Sequence, residues 1–366
     1  MIRNISLGCY TLIDLVTYGW TPSLAETFSQ RFGDECRPGR VVVQQSSFSV
    51  ITAGGMLACS VAGRMKHLAG GAEDLPAIGD WVCLEPGRDG KTGRIVDILP
   101  RKSRFIRKVA GGKTQAQVLA TNVDIAFLVS GLDGELNPAR IERYLVLARE
   151  GGAKPIVVLN KTDLCGDIEE AYRLASEAAP GIRLLAMSAK TRDGFAELEG
   201  LLKDGVTGAL LGSSGVGKSS IVNLFFESER MKVTDTRDAD GKGRHTTKHR
   251  ELLLLPSGGM LIDTPGMREL GLWGEGTAVQ EAFDDIEEIG TRCRFRDCHH
   301  NTEPGCAVLA ALEDGSLDAA RYESYQKLQR EFEHLKGKYD VFSRLEAKRA
   351  AKRLSAIQKR WQKGEE

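Results

Sequence analysis

Residues 212 to 219 read Gly212-Ser213-Ser214-Gly215-Val216-Gly217-Lys218-Ser219 and fit G-x-x-x-x-G-K-[ST] at every fixed position, between the apolar stretch GALL and the apolar run SIVNLFF. Glycines so spaced let successive backbone N–H groups turn inward on phosphate oxygens. The start of the following helix adds partial positive charge, and Lys218 neutralises the terminal phosphates. Ser219 is placed to hold Mg²⁺, and Ser220 counts with the nucleotide-contacting residues.

A phosphate loop alone does not choose a base. Asn160-Lys161-Thr162-Asp163, after the strand-like PIVVL, does. A carboxylate at Asp163 accepts both hydrogens that guanine offers at N1 and its 2-amino group, a match adenine cannot make. Ser188-Ala189-Lys190, after RLLAM, adds a backbone N–H for the guanine oxygen. Asp263-Thr264-Pro265-Gly266 follows GMLI, with Asp263 placed to reach Mg²⁺ through water and the Gly266 N–H placed to sense a γ-phosphate.

These loops must be held by strands. VDIAFLVSG, KPIVVLN, IRLLAMS, GALLG, RELLLLP and GMLIDTP alternate with helical patterns such as PARIERYLVLARE, whose Ile141, Tyr144, Leu145 and Ala148 share one face. That alternation predicts a doubly wound α/β domain with ligands at the carboxyl ends of its strands. The loops run in the order base loop, second base loop, phosphate loop, GRHTT, DTPG. This is a circular permutation of the usual guanine-nucleotide order, and adjacency in space is all that binding needs.

Upstream, RVVVQQSSFSVIT, GGMLACSVAGR, GDWVCLEP and TGRIVDILP are short β-rich pieces between Gly, Pro and Asp turns, and predict a small barrel of the oligonucleotide-binding type. PRKSRFIRK follows, with Arg101, Lys102, Arg104, Arg107 and Lys108 around Phe105, a basic linker or an RNA-facing cluster. Before the barrel, SLAETFSQRF predicts a short packing helix. Downstream, Cys293, Cys298 and Cys306 crowd together with His299 and His300, which points to a closed Zn²⁺ site of three thiolates and one imidazole. Between 344 and 363, eight basic residues stand against the single acid Glu346, with Ala350, Leu354, Ile357 and Trp361 at helical spacing. That is the pattern of a basic amphipathic helix facing RNA.

The chain has 366 residues, 42% hydrophobic and 27% charged, with fifty acidic and fifty basic residues. Attraction to nucleic acid must therefore come from local clusters. With no secretion signal and no run near the ~20 apolar residues of a spanning helix, a cytoplasmic protein without membrane contact is expected.

The barrel, NKTD, SAK, GSSGVGKS, GRHTT, DTPG and CRFRDCHHNTEPGC together resemble the ribosome small-subunit-dependent GTPase family (RsgA, also called YjeQ), over roughly residues 38 to 335. The resemblance implies a late factor in assembly of the bacterial small (30S) ribosomal subunit and its 16S rRNA, hydrolysing GTP to GDP with stimulation by the subunit. It implies Mg²⁺ with the nucleotide and one structural Zn²⁺ on Cys293, Cys298, His300 and Cys306. It carries the switch I Mg²⁺ role to Thr247, with Thr246 as the alternative because Lys248 stands where a third Thr is frequent. The expected organisation is an extension at 1–37, a barrel at 38–109, a circularly permuted GTPase domain at 110–275, and a zinc-binding helical domain with a basic tail at 276–366. A monomer is expected. Catalysis is assigned to Lys218, Thr247 and His245. Met267 occupies the position after the DTPG glycine where many GTPases carry a water-orienting glutamine, and His245 is the nearest polar candidate. The competing expectation is a GTP-gated RNA-binding scaffold whose hydrolysis is incidental.

Overall fold

The β-rich texture beyond residue 37 becomes a closed five-stranded barrel in the computed structural model, which describes residues 4–6, 11–33, 36–109, 115–226, 250–263 and 277–333. Ahead of the barrel, short strands β1 (Asn4–Ser6) and β2 (Thr11–Ile13) pair antiparallel, and helix α1 (Pro22–Arg31) follows. The Thr21 hydroxyl accepts from the Leu24 N–H and Pro22 fills the first helical position, so the helix has both a cap and a preset φ at its start. Trp20 packs edge-on against Trp81 of the barrel, and Arg31 pairs with Asp97 at 3.0 Å.

The barrel strands are β3 (Arg37–Gln44), β4 (Phe48–Thr52), β5 (Gly55–Val61), β6 (Trp81–Pro86) and β7 (Thr92–Ile98). They lie in the order β3-β4-β5-β7-β6, and β6 returns to pair with β3. Only β5 and β7 run parallel within it, with helix α2 (Gly63–Leu68) between β5 and β6. This is the oligonucleotide-binding arrangement. Val41, Val50, Leu84 and Ile95 fill its interior. A hairpin of β8 (Arg104–Val109) and β9 (Gln115–Thr121) follows.

The alternating segment gives parallel strands β10 (Ile125–Gly131), β11 (Lys154–Asn160), β12 (Leu184–Met187), β13 (Thr207–Leu211) and β15 (Met260–Asp263), with β14 (Arg250–Leu254) antiparallel to β15. Helices α3 (Pro138–Glu150), α4 (Ile168–Ala178), α5 (Phe195–Leu201) and α6 (Lys218–Phe226) connect them. Phe127, Val158, Leu210, Ile221, Phe225 and Leu261 belong to the core beneath the site. At the far edge β14 pairs with β3, Arg250 opposite Gln44 and Glu251 opposite Val43, so barrel and nucleotide sheet form one eleven-stranded sheet.

Arg40 is buried where these parts meet. Its guanidinium donates to the carbonyls of Tyr18, Gly79 (3.2 Å) and Asn122 (3.3 Å) and to the Thr207 hydroxyl (3.0 Å), and it lies over the Trp81 ring. Burial pushes its pKa down to about 10, against the raising influence of Asp124 and Asp80. Two of the five cations in PRKSRFIRK are likewise paired within the protein. Arg101 makes a bidentate pair with the fully buried Asp80 and donates to the Glu73 and Leu75 carbonyls, while Lys102 pairs with Asp124. Arg101 is thus a structural residue rather than an RNA contact.

Residues 277–333 belong to a second unit. Helices α7 (Thr277–Ala282), α8 (Asp284–Gly290) and α9 (Ala307–Glu313) and the helical residues 319–333 enclose Phe283, Ile286, Val308 and Leu328. Arg321 fastens this module, pairing with Asp285 at 2.6 Å and lying over the Phe283 ring. Among the described residues no helix is long and apolar enough to cross a membrane. The basic tail between 344 and 363 lies outside the described residues.

Candidate nucleotide site and metal centre

Because β10, β11, β12, β13 and β15 run parallel, their carboxyl ends share one edge of the sheet, and the loops leaving β11, β12 and β13 emerge there together. Spatial order replaces chain order. Asn160, at the end of β11 and fully buried, joins three of these loops. Its amide donates to the Val216 carbonyl of the phosphate loop at 2.8 Å, and its oxygen accepts from the Ala189 N–H at 3.0 Å. Only one orientation of the carboxamide serves both partners.

The phosphate loop takes backbone conformations that glycine allows. Gly215 and Gly217 have φ of 81° and 96°, in the left-handed region. Lys218, at the start of α6, turns back over the loop and donates to the carbonyls of Gly212 (2.7 Å) and Ser213 (2.5 Å). Ser219 and Ser220 follow it in the first turn of α6.

In the base loop, Lys161 adopts φ 68° and ψ 38°, and a 3-10 turn over Thr162–Leu164 presents Asp163. The Ser188 hydroxyl donates to Asp163 Oδ1 at 2.6 Å, and Ser188 Oγ itself accepts from the N–H groups of Lys190 and Thr191. One carboxylate oxygen is thereby fixed by the second base loop. Lys190 Nζ stands 3.9 Å from Asp163 Oδ2, with its side chain 80% exposed, so that pair is worth little by itself. Asp263 ends β15 at the same edge, opposite Glu251 of β14. Thr264, Gly266, His245, Thr246 and Thr247 lie outside the described residues.

Sequence reasoning missed Asp133 and the hydroxyl of Tyr144. Asp133 Oδ2 accepts from Lys161 Nζ at 2.5 Å, and Tyr144 Oη lies 3.5 Å from Ser213 Oγ. Both line a cavity of about 300 Å³ between the phosphate loop and the β10–α3 loop. A signal was present for Asp133, an acid two residues beyond a parallel strand at the ligand edge. Tyr144 was concealed by the helical periodicity of α3, where it counts as an apolar position.

In the second unit, ligand atoms of Cys293, Cys298, His300 and Cys306 all lie within 4.8 Å of one another. A tetrahedral ion at usual bond lengths needs sulfurs about 3.8 Å apart and a sulfur–nitrogen separation of about 3.6 Å. The two sulfurs of Cys293 and Cys306 are 3.8 Å apart, and His300 Nδ1 is 3.5 and 3.4 Å from them, so the donor set fits such an ion. His299, the competing imidazole, is outside this cluster. The backbone prepares the donors. Burial raises the Cys293 thiol pKa, but hydrogen bonds from the Ala307 and Val308 N–H groups and with the Cys306 and Cys298 thiols together leave a net downward shift toward the metal-binding thiolate. His300 has φ 56°, and its carbonyl accepts from Tyr322 Oη at 2.6 Å. Between His300 and Cys306, Glu303 accepts from the N–H groups of His299, Asn301 and Thr302 and orders the loop.

With this geometry in place, residues 98–273 match the family model described as RsgA GTPase. The chain is 43% identical over 351 residues to the small ribosomal subunit biogenesis GTPase RsgA of Streptomyces coelicolor, covering 94% of each chain. It is 44% identical over 330 residues to the protein of the same name from Opitutus terrae, covering 87% of this chain and 89% of that one. Among solved structures it is similar to YjeQ from Thermotoga maritima (TM-score 0.59, 29% identity, 82% of this chain and 99% of that one). It is also similar to YloQ, described as a circularly permuted GTPase (TM-score 0.59, 28% identity, 83% and 98%).

Proposed function

This chain belongs to the RsgA GTPase family, and on that premise we propose that it hydrolyses GTP to GDP in biogenesis of the small ribosomal subunit, as a cytoplasmic monomer that engages the 16S rRNA of that particle. The observation that carries the nucleotide assignment is the bridge made by Asn160, which locks base loop, second base loop and phosphate loop together at one sheet edge.

In this reading Asp163 and the Ala189 N–H read guanine, and residues Gly212 to Ser220 cradle the phosphates with Lys218. Ser219 and Thr247 hold Mg²⁺, which supplies charge neutralisation at the phosphates, with Asp263 and the Gly266 N–H beside it. Zn²⁺ closes the Cys293, Cys298, His300 and Cys306 set and stabilises the second unit. Phe295 supports an RNA-facing role there: it is 42% exposed, lies under the Arg294 guanidinium, and is flanked by the exposed Arg292 and Arg296, a stacking platform within positive charge.

Met267 after the DTPG glycine favours slow turnover by the free protein, with His245 orienting water once switch I is ordered. The decisive measurement is GTP turnover with and without purified small subunits. Strong stimulation supports the enzyme reading, and binding without stimulation favours the scaffold. Single-turnover assays of His245→Ala on bound subunits then test that residue, and an undiminished rate removes it from the mechanism.

A further inference from the structure

We infer that Asp133, on the loop between β10 and α3, is a positioning residue that aims the guanine-reading turn by holding Lys161. The inference rests on the nucleotide assignment above. Lys161 occupies the left-handed region, which a residue with a Cβ enters at a cost, so its surroundings must hold it there. Asp133 does so from the head of the side chain, through the 2.5 Å contact between Oδ2 and Nζ. Hydrogen bonding to Lys161 in turn holds the Asp133 carboxyl below its usual range.

Gly131 makes room for the Asp133 carboxylate, and the lysine stem runs beside it. A Cβ there would lie 2.7 Å from Asp133 Oδ1, 3.4 Å from the Val216 Cα and 3.6 Å from the Lys161 Cδ. The lysine therefore passes a bare stretch of β10 and the phosphate loop before reaching its partner, and its side chain is only 21% exposed. The backbone carries the effect onward. The Lys161 carbonyl accepts the Leu164 N–H at 2.9 Å and so opens the turn that presents Asp163. Asn160 pins the base loop at one residue, Asp133 pins it at the next, and two successive pins set the direction in which the turn leaves the sheet.

Because the base is common to GTP and GDP, loss of the second pin weakens both equally. Asp133→Asn keeps the size and removes the charge. Titration of fluorescent GTP and GDP analogues should show both Kd values rising roughly three- to fivefold, the scale of one partly exposed ion pair. Asp133→Glu should recover part of the loss, and Asp133→Asn should add nothing in a Lys161→Met background. A wild-type Kd in Asp133→Asn, with or without a lowered melting midpoint, overturns the inference. So does an equal loss in both backgrounds, which would show that Asp133 acts without Lys161. Adenine analogues in the same titration separate the two levels. If the unmodified protein does not prefer guanine, the nucleotide assignment itself fails and Asp133's role falls with it.

Discussion

A Cβ on Gly217 would overlap the carboxamide nitrogen of Asn160. The Asn160 side chain is packed directly against the phosphate-loop backbone, and Gly217 also sits at φ 96°. Gly217→Ala should therefore displace Asn160 and strand the Val216 carbonyl and Ala189 N–H, each at a cost of about 1–3 kcal/mol if it stays buried. GDP affinity should fall at least about tenfold, measured by equilibrium titration. Asn160→Ala should fall similarly, and wild-type affinity in either variant would contradict the bridge.

Asp163→Asn should move preference from guanosine to xanthosine triphosphate, because the amide presents a donor where the 2-amino group needs an acceptor. The Ser188 hydroxyl can still donate to the remaining oxygen at 163, so the loop should stay ordered. Competition between the two nucleotides measures the switch. Retained guanine preference would place base recognition elsewhere.

Arg40→Met should destabilise the first unit by several kcal/mol, on the order of 1–3 kcal/mol for each buried acceptor left unpaired. Chemical denaturation would report it. The acceptors at risk include the Asn122 carbonyl and the Thr207 hydroxyl, and Arg40→Lys should rescue little, since an ammonium cannot span such separated partners.

Zinc analysis of protein purified without chelator should give one ion per chain. Cys298→Ala should unfold the second unit while nucleotide binding survives. Glu303 adds a pH signature. Backbone N–H groups of His299, Thr302 and Asn301 lower its pKa from 4.5 to about 2. Its contribution is therefore present above the unfolded value near 4.5 and lost as pH falls to about 2. The stability gap between the unmodified chain and Glu303→Gln should close across that window in acid titrations followed by circular dichroism.

Phe295→Ala should weaken binding to single-stranded rRNA segments by about 1–3 kcal/mol without altering salt dependence, because stacking is not a counterion effect. Neutralising Arg292, Arg294 and Arg296 should instead reduce the slope of log affinity against log salt by roughly 0.7 per lost phosphate contact. Unchanged affinity in both variants would remove this surface from RNA recognition.

The candidate nucleotide site could be proposed from sequence because its loops are short, follow apolar strands, and need particular residue types at fixed spacing. The barrel was legible from period and turns. Arg40 was not. In RPGRVVVQ it resembles a surface cation, and its burial depends on Tyr18, Gly79, Asn122 and Thr207 converging from distant parts of the chain. Arg101 misled for a related reason, since a run of positive charge says nothing about which member will meet Asp80. The pairing of β3 with β14 joins residues about two hundred positions apart, and neither strand's composition names its neighbour.

That pairing also bears on the order in which the chain leaves the ribosome. β14 is the last strand at its side of the nucleotide sheet, and a nucleotide domain made alone would present its free N–H and C=O groups as a template for strand addition by other chains. Here the barrel strands at 37–98 are synthesised well before residue 250 emerges, and N-terminal units fold first. A new copy thus meets its vulnerable edge with the barrel strands already made, so the placing of the barrel ahead of the nucleotide sheet doubles as protection against aggregation during synthesis.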